Sequence, residues 1–272
     1  MIEKTVLITG ACGSLGAHTS KYLAERFWKV FAVDINQAGF QQFSGINNIS
    51  TSYVDITEQA SIEALYRLLD EQTDGLDGII NFAGFFKPGS MVEISEHTLF
   101  KVMNVNVLGT FRVNKTLFPL IYKRRGRIIN ISSEIGWQSS YPFNGAYAMS
   151  KHAIEAYSDS LRRELMFLNI PVIKIQPGPI RSEMVDRLVA DFTEVENKSI
   201  YFKEILRRAI SMVKEETRRV NDRTYVSRAV YIALTTEKPK SAYSVKPELR
   251  RTLLEWLPAG LRDRILKKAM GG

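Results

Sequence analysis

The stretch KTVLITGACGSLGAHTSKYL, residues 4–23, decides the fold. It runs from β-branched and apolar residues through Gly10, Gly13 and Gly16 into small and apolar residues at helical spacing. A strand, a glycine turn and a helix in this order are typical of the first unit of a doubly wound sheet, where backbone amides and the helix dipole favour a phosphate. Taken alone, the stretch also fits a plain glycine-rich turn.

The rest of the chain repeats this alternation. Predicted strands, apolar and rich in Ile and Val, cover 4–9, 29–34, 50–55, 77–82, 126–132 and 171–176, with a short strand possible near 241–245. Predicted helices follow the first strand and cover 57–72 and 145–168, and two more lie within 95–123. This pattern predicts an α/β fold: a single-domain, doubly wound parallel sheet over residues 1–272, a Rossmann fold with helices on both faces.

Composition narrows the class of protein. The chain has 272 residues, 45% hydrophobic and 24% charged, as in soluble globular proteins. A single cysteine, Cys12, excludes an internal disulfide and favours a reducing, cytoplasmic location. We expect no signal peptide, no membrane span and no metal site. The net charge of +8 is spread without an aromatic platform, so we expect no nucleic-acid partner.

Acidic residues end the second and third predicted strands. Asp34, eighteen residues beyond Gly16, stands where an acid accepts hydrogen bonds from the adenosine ribose and repels a 2′-phosphate. Because the following Ile35 and Asn36 supply no cation, we expect NAD rather than NADP. Asp34 alone could also be a solvated strand end. Asp55 could reach the adenine amino group or serve equally as a turn or N-cap acid.

Tyr147 and Lys151 stand four residues apart on a predicted helix and therefore share one face. A free tyrosine has a pKa of about 10, and a neighbouring ammonium favours the phenolate. We expect Lys151 to lower the pKa of Tyr147, so that the phenol exchanges a proton near neutral pH. An isolated pair at this spacing fits an ordinary amphipathic helix just as well.

Polar and glycine motifs at other strand ends favour a functional role for the Tyr147–Lys151 pair. Ser132 and Ser133 end the fifth strand, NFAG (81–84) ends the fourth, and PGPI (177–180) ends the sixth. Ligands bind at the carboxyl ends of parallel strands, so these motifs share one rim with the glycine turn. A serine hydroxyl there could polarise a carbonyl or hold an alcohol.

Together these residues resemble the classical type of the short-chain dehydrogenase/reductase superfamily, and its steroid- and retinol-oxidising members most. The motifs TGACGSLG, NFAG, NVNVLG, INISS, YAMSK and PGPIRS carry the resemblance over about residues 1–182. It implies a catalytic set of Asn106, Ser133, Tyr147 and Lys151. In that set Ser133 holds the substrate oxygen, Tyr147 moves the proton, Lys151 binds the nicotinamide ribose, and Asn106 anchors a relay water.

The resemblance and the strand-end motifs together predict a cofactor site. Gly13 and Ser14 would share the phosphate contacts, with Ser14 also a favourable N-cap residue. The predicted cofactor-binding residues are Gly10, Gly13, Ser14, Leu15, Gly16, Asp34, Ile35, Asp55, Ile56, Asn81, Ala83, Gly84, Tyr147, Lys151, Pro177, Gly178, Ile180 and Ser182.

Two departures from the family pattern keep alternatives open. The classical pattern has glycine at position 14, whereas this glycine spacing is more typical of the extended, epimerase-type branch. An isomerase or lyase using tightly held NAD, or a non-catalytic NAD-binding scaffold, is therefore an alternative to the oxidoreductase. Ser133 lies fourteen residues before Tyr147, one more than usual, which leaves Ser132 and Ser139 as minor candidates.

The C-terminal third carries the expected specificity elements. Residues 183–222 are helical and partly apolar, and in the family this region is the substrate lid, so we expect a lipophilic alcohol or ketone; the apolar residues could equally pack only onto the core. The basic amphipathic tail, 247–272, could cap the pocket, contact a partner subunit or lie on a membrane surface. The resemblance implies a homodimer or homotetramer.

Overall fold

The computed structural model describes residues 3–271 and contains one sheet of parallel strands. The strand order is β3-β2-β1-β4-β5-β6-β7, and every neighbouring pair is parallel. The strands are β1 (Lys4–Thr9), β2 (Trp28–Asp34), β3 (Ile49–Tyr53), β4 (Gly78–Asn81), β5 (Arg127–Ile131), β6 (Val172–Pro177) and β7 (Ala242–Val245). The order reverses between β1 and β4, which opens a crevice at their carboxyl ends. The predicted doubly wound Rossmann fold is confirmed.

Helices cover both faces of the sheet. They are α1 (Ser14–Ala24), α2 (Gln59–Gln72), α3 (Glu96–Met103), α4 (Thr110–Arg124), α5 (Gly145–Leu165), α6 (Glu183–Lys198), α7 (Lys203–Thr217), α8 (Thr224–Thr235), α9 (Leu249–Leu254) and α10 (Ala259–Ala269). One buried apolar cluster joins Ile80 to α1 and α8. A second joins the adjacent Ile79 to α2 and α4. Successive residues of a strand point to opposite faces, which explains why these strands are apolar throughout.

The two helices predicted within 95–123 are confirmed as α3 and α4. The segment Asn104–Gly109 continues α3 into α4 as a π-helical stretch, with right-handed backbone at both junctions. A Cβ on Gly109 would lie 2.6 Å from Cδ1 of Ile56, so glycine permits the close packing there. Single π turns are common at functional sites because they redirect side chains. Here the stretch contains Asn106.

The segment predicted as a lid forms the helical pair α6 and α7. A third buried cluster attaches this pair to the body through Phe143, Phe192 and Leu206, joined by Met270 near the end of α10. Glu93 accepts hydrogen bonds from two backbone amides in the turn between α6 and α7, at 2.8 and 2.9 Å. The pair is therefore fixed to the sheet domain at both ends.

The C-terminal tail folds as α9 and α10, and most of its predicted apolar face points outward. Leu249, Leu253 and Trp256 are 72%, 68% and 86% exposed. Arg251, between them in sequence, is buried instead. Within residues 3–271, no helix combines the length and apolarity needed to cross a membrane.

Candidate active site

A cavity of about 370 Å³ lies at the carboxyl ends of the central strands. The predicted site residues that line it are Gly10, Gly13, Ser14, Leu15, Gly16, Gly84, Ser133, Tyr147, Lys151, Pro177, Gly178, Ile180 and Ser182. The predicted site residues outside its lining are Asp34, Ile35, Asp55, Ile56, Asn81, Ala83 and Asn106. The structure thus brings the glycine turn and the Ser–Tyr–Lys residues together around one space.

The glycine turn is shaped by close backbone approaches. Gly10 has φ +64°, and a Cβ there would lie 2.5 Å from the amide nitrogen of Ala83. A Cβ on Gly16 would lie 2.2 Å from the Gly10 carbonyl oxygen. Gly13 occupies the N-cap position and has no side chain to cap the first amides of α1. Those amides border the cavity, so the turn fits the pyrophosphate of a dinucleotide.

The prediction that Ser14 is the N-cap of the first helix is wrong. It is the first residue of α1 rather than its N-cap, which is Gly13. Its hydroxyl accepts a hydrogen bond from the backbone amide of Glu183 at 3.0 Å. Glu183 begins α6, so Ser14 connects the phosphate turn to the lid. Ser182 caps the same helix, its hydroxyl accepting from the Val185 amide at 3.3 Å.

The carboxylate of Asp34 is fixed beside the glycine turn. Its Oδ2 accepts from the Cys12 amide at 2.8 Å and its Oδ1 from the Asn36 amide at 2.9 Å. Burial, with the Asp34 charge adding to it, raises the pKa of Cys12 to about 12, so this thiol stays protonated. At the next strand end, Oδ1 of Asp55 accepts from both the amide and the hydroxyl of Thr57. Asp55 therefore acts as a turn acid.

The Asn81 side chain lies within the fold rather than in the cavity. Its Nδ2 donates to Oδ1 of Asn114 at 2.8 Å and to Oδ1 of Asn130 at 2.9 Å, and all three residues are buried. Asn81 pairs with Asn130 across β4 and β5, so the two side chains share one face of the sheet. Ile56 is likewise buried against Gly109, while Ile35 is 58% exposed. The backbone after Asn81 reaches the cavity at Gly84.

Asn106 is buried and holds the segment that follows β4. Its Oδ1 accepts from the Phe85 amide at 2.6 Å, and its Nδ2 donates to the Phe85 carbonyl and to Oγ of Ser150, both at 2.9 Å. The Asn106 carbonyl accepts from the Thr110 hydroxyl at 2.9 Å. Ser150 precedes Lys151 on α5. Asn106 thus ties the β4 segment to the helix that carries Tyr147 and Lys151.

Tyr147 lies in the first turn of α5, with its ring against Phe86 at 5.2 Å between centroids. Ser133 lines the same cavity. Burial raises the pKa of Tyr147 to about 12, and the Ser133 hydroxyl opposes that rise. The Ser132 hydroxyl has no hydrogen-bond partner among residues 3–271, and Ser139 bonds Glu255 outside this cavity. Of the three serines, Ser133 is the one whose hydroxyl acts on the pKa of Tyr147.

Lys151 is buried one helical turn further on. Its Nζ donates to the Ile131 carbonyl at 2.9 Å and lies 5.5 Å from the centroid of the Tyr147 ring. Burial lowers the pKa of Lys151 to about 8, with Glu155 opposing the change. The expected lowering of the Tyr147 pKa is therefore not seen. Desolvation disfavours the charged form of each group and is the largest cause of both shifts.

One wall of the cavity is charged, and the sequence did not predict it. Glu134 and Arg251 line it and form a buried ion pair, Oε1 to Nη1, at 3.4 Å. Burial raises the pKa of Glu134, although the Glu248 amide and Arg251 oppose the rise. The Arg251 guanidinium also lies over the Tyr141 ring, 4.3 Å from its centroid. Glu134 directly follows the serine pair, but no local pattern signals Arg251. Within the described part of the chain, no cluster of three or more acidic, His or Cys residues is arranged to hold a metal.

Known proteins similar in sequence to this chain belong to one family. A model of the family described as short chain dehydrogenase matches residues 4–192. Retinol dehydrogenase 16 of Mus musculus is 30% identical over 280 residues, covering 97% of this chain and 88% of that protein. The 17-beta-hydroxysteroid dehydrogenase type 6 of Homo sapiens is 28% identical over 283 residues, covering 98% and 89%.

Solved structures show the same fold at lower sequence identity. A short-chain dehydrogenase from Streptomyces avermitilis has a TM-score of 0.79 and 20% identity, covering 98% of this chain and 95% of that one. An actinorhodin polyketide ketoreductase with NADPH has a TM-score of 0.77 and 22% identity, covering 89% and 95%.

Proposed function

The chain belongs to the short-chain dehydrogenase/reductase family, and on that premise we propose that it interconverts a lipophilic primary or secondary alcohol and its aldehyde or ketone with NAD as cofactor. One observation carries the proposal. Ser133 and Tyr147 lie together on the wall of the cavity that the glycine turn also borders. A substrate oxygen placed between these two hydroxyls would contact a proton acceptor and a fixed donor together.

Each residue of the site has a separate role in the proposed oxidation. Ser133 holds the substrate oxygen, and Tyr147 takes its proton. Lys151 would bind the nicotinamide ribose. Asn106 fixes the β4 segment against α5 and anchors the water that connects Lys151 to solvent. NAD, when bound, would supply the hydride acceptor.

The cofactor preference rests on Asp34. Its carboxylate is fixed next to the glycine turn by two backbone amides, and no lysine or arginine among residues 3–271 forms an ion pair with it. A 2′-phosphate at that position would meet an uncompensated negative charge, whereas the hydroxyls of NAD would find an acceptor. This arrangement favours NAD over NADP.

The lipophilic substrate rests on the lining of the cavity. Met184, Val185 and Leu188 of α6 and Phe86 after β4 face it and offer apolar contact beside the reacting hydroxyls. Apolar lining with a few convergent polar groups is the usual character of a small-molecule site. Other apolar residues of the lid, including Phe192 and Leu206, pack onto the body instead.

Two exposed surfaces suggest how the protein associates. We propose homo-oligomer formation through α4 and α5, where Phe111 and Tyr122 of α4 and Met149 of α5 are more than two-fifths exposed. We also propose that the outer face of the tail touches an anionic membrane surface. There Leu249, Leu253 and Trp256 stand among basic residues of α9 and α10.

The test is a panel of lipophilic alcohols and ketones with the wild type and Tyr147→Phe, followed at the absorbance of reduced cofactor. We expect the wild type to release reduced NAD in bulk and the variant to lose about 100-fold or more in kcat. Tyr157→Phe, on the same helix outside the cavity, is the matched control. Turnover without net cofactor reduction would indicate an isomerase or lyase, and an unaffected Tyr147→Phe would exclude the proposed chemistry.

A further inference from the structure

A second cavity of about 260 Å³ lies behind the catalytic one, under the C-terminal helices. We call it the rear cavity. Its apolar lining comes from α7, α9 and α10 and consists of Met212, Leu254, Ala259, Ile265, Leu266 and Ala269. Polar residues border it, among them Glu255 and Arg262, which form an ion pair with each other. None of the residues assigned to the proposed reaction lines this space.

The two cavities share a wall made of Tyr141 and Arg251. Both residues line both cavities. The guanidinium carbon lies over the tyrosine ring, 4.3 Å from its centroid. On the catalytic side, the wall adjoins Glu134, the residue that follows Ser133. Moving Tyr141 and Arg251 apart would join the rear cavity to the space in front of the reacting hydroxyls.

The Arg251 guanidinium makes few polar contacts, although the residue is buried. Its ion pair with Glu134 rests on one contact of 3.4 Å, and its Nη2 has no hydrogen-bond partner among residues 3–271. Strong arginine–carboxylate pairs are bidentate, with N–O distances of about 2.8 Å. The closed wall therefore leaves a buried donor unsatisfied, and a rotation of the guanidinium breaks one long contact rather than a tight pair.

The volume of the catalytic cavity also argues for an extension. Its lining includes the phosphate turn, from Gly10 to Gly16, so its 370 Å³ must hold part of the cofactor as well as the substrate. Sites for a single lipophilic ligand range from about 300 to 1,000 Å³. A long apolar substrate with its hydroxyl at Tyr147 therefore needs space beyond this cavity.

From the shared wall and the apolar lining, we propose that the rear cavity is the distal subsite for the substrate and receives the end of an extended apolar chain that passes between Tyr141 and Arg251. The inference rests on the proposed alcohol oxidation. It adds a substrate class, long-chain apolar alcohols, and assigns Tyr141 and Arg251 as the residues that set the accepted length.

The experiment measures kcat/KM for a homologous series of straight-chain alcohols with NAD. In the wild type we expect kcat/KM to rise by about fourfold per added methylene and to keep rising after the catalytic cavity is filled. Ala269→Phe and Ala259→Phe fill the rear cavity from two positions. Each should reduce kcat/KM for the longest alcohols by 10-fold or more and leave kcat/KM for short alcohols within twofold of the wild-type value. The ratio of the two values does not depend on the concentration of active protein.

Two further variants test whether the change in chain-length preference depends on the rear cavity. Lys268→Phe adds the same ring to α10 outside the cavity lining and should keep the wild-type length profile. Leu254→Ala enlarges the rear cavity and should move the optimum toward longer chains. Equal losses at all lengths in both filling variants, or no loss at all, would overturn the distal subsite. A wild type inactive on every alcohol would instead contradict the proposed function.

Discussion

The Ser14 hydroxyl accepts a hydrogen bond from the Glu183 amide at 3.0 Å, which joins the phosphate turn to the first residue of the lid. The bond satisfies one of the free amides at the start of α6. A serine where the family pattern has glycine therefore has a function in this chain, because glycine could not accept that bond.

Ser14→Ala should loosen the start of α6. Losing one neutral hydrogen bond of about 1 kcal/mol should accelerate hydrogen exchange of the Glu183 amide by about fivefold. Exchange measured by mass spectrometry on the peptide that contains Glu183 checks this. Ser95→Ala removes a cap from the distant helix α3 and should leave that peptide unchanged. Unchanged exchange in Ser14→Ala would mean that the bond does not hold the lid.

The buried ammonium of Lys151 should lower the free energy of unfolding of the cofactor-free protein at neutral pH. Burial lowers its pKa from 10.5 to about 8, a shift that costs about 3 kcal/mol below pH 8. The unfolded chain keeps the proton up to about pH 10.5, so the folded state regains this stability as pH rises from about 8 to about 10.5.

Lys151→Met should therefore raise the free energy of unfolding at about pH 7 by about 1–2 kcal/mol, after allowing about 1 kcal/mol for the lost hydrogen bond to Ile131. The advantage should disappear at about pH 10. Urea unfolding of both proteins at the two pH values checks this, with the exposed Lys214→Met as control. A gain that persists at high pH would point to packing rather than desolvation.

The sequence predicted those parts of the site that local spacing determines. Tyr147 and Lys151 are one helical turn apart wherever α5 lies, and Gly10 and Gly16 are required by contacts within the turn or with the next strand. The direction of the Asn81 side chain depends on its register with Asn130, which no local pattern reveals. Arg251 meets Glu134 across 117 residues, so only the folded chain brings them together.

Asp34→Ala should weaken the discrimination between cofactors. The substitution removes an acceptor of charge-assisted hydrogen bonds, each about 1.5–3 kcal/mol, so KM for NAD should rise about 10-fold or more. KM for NADP should fall, because the repulsion of the 2′-phosphate is lost. Asp34→Asn removes the charge but keeps an acceptor for the Cys12 amide. Comparing it with Asp34→Ala therefore distinguishes the effect of the charge from the effect of a changed turn conformation. A wild type that prefers NADP would contradict this prediction.

The outer face of the tail should bind anionic vesicles. Leu249, Leu253 and Trp256 are largely exposed, and burying each in the interface is worth about 1.5–3 kcal/mol, with nearby Arg and Lys attracted to the lipid headgroups. Replacing all three with serine should reduce partitioning in vesicle sedimentation by at least about 100-fold. The matched control, Phe27→Ser with Phe167→Ser, removes rings that are 91% and 78% exposed on other surfaces. Equal losses in both variants would mean that general surface apolarity, rather than the tail, governs vesicle binding.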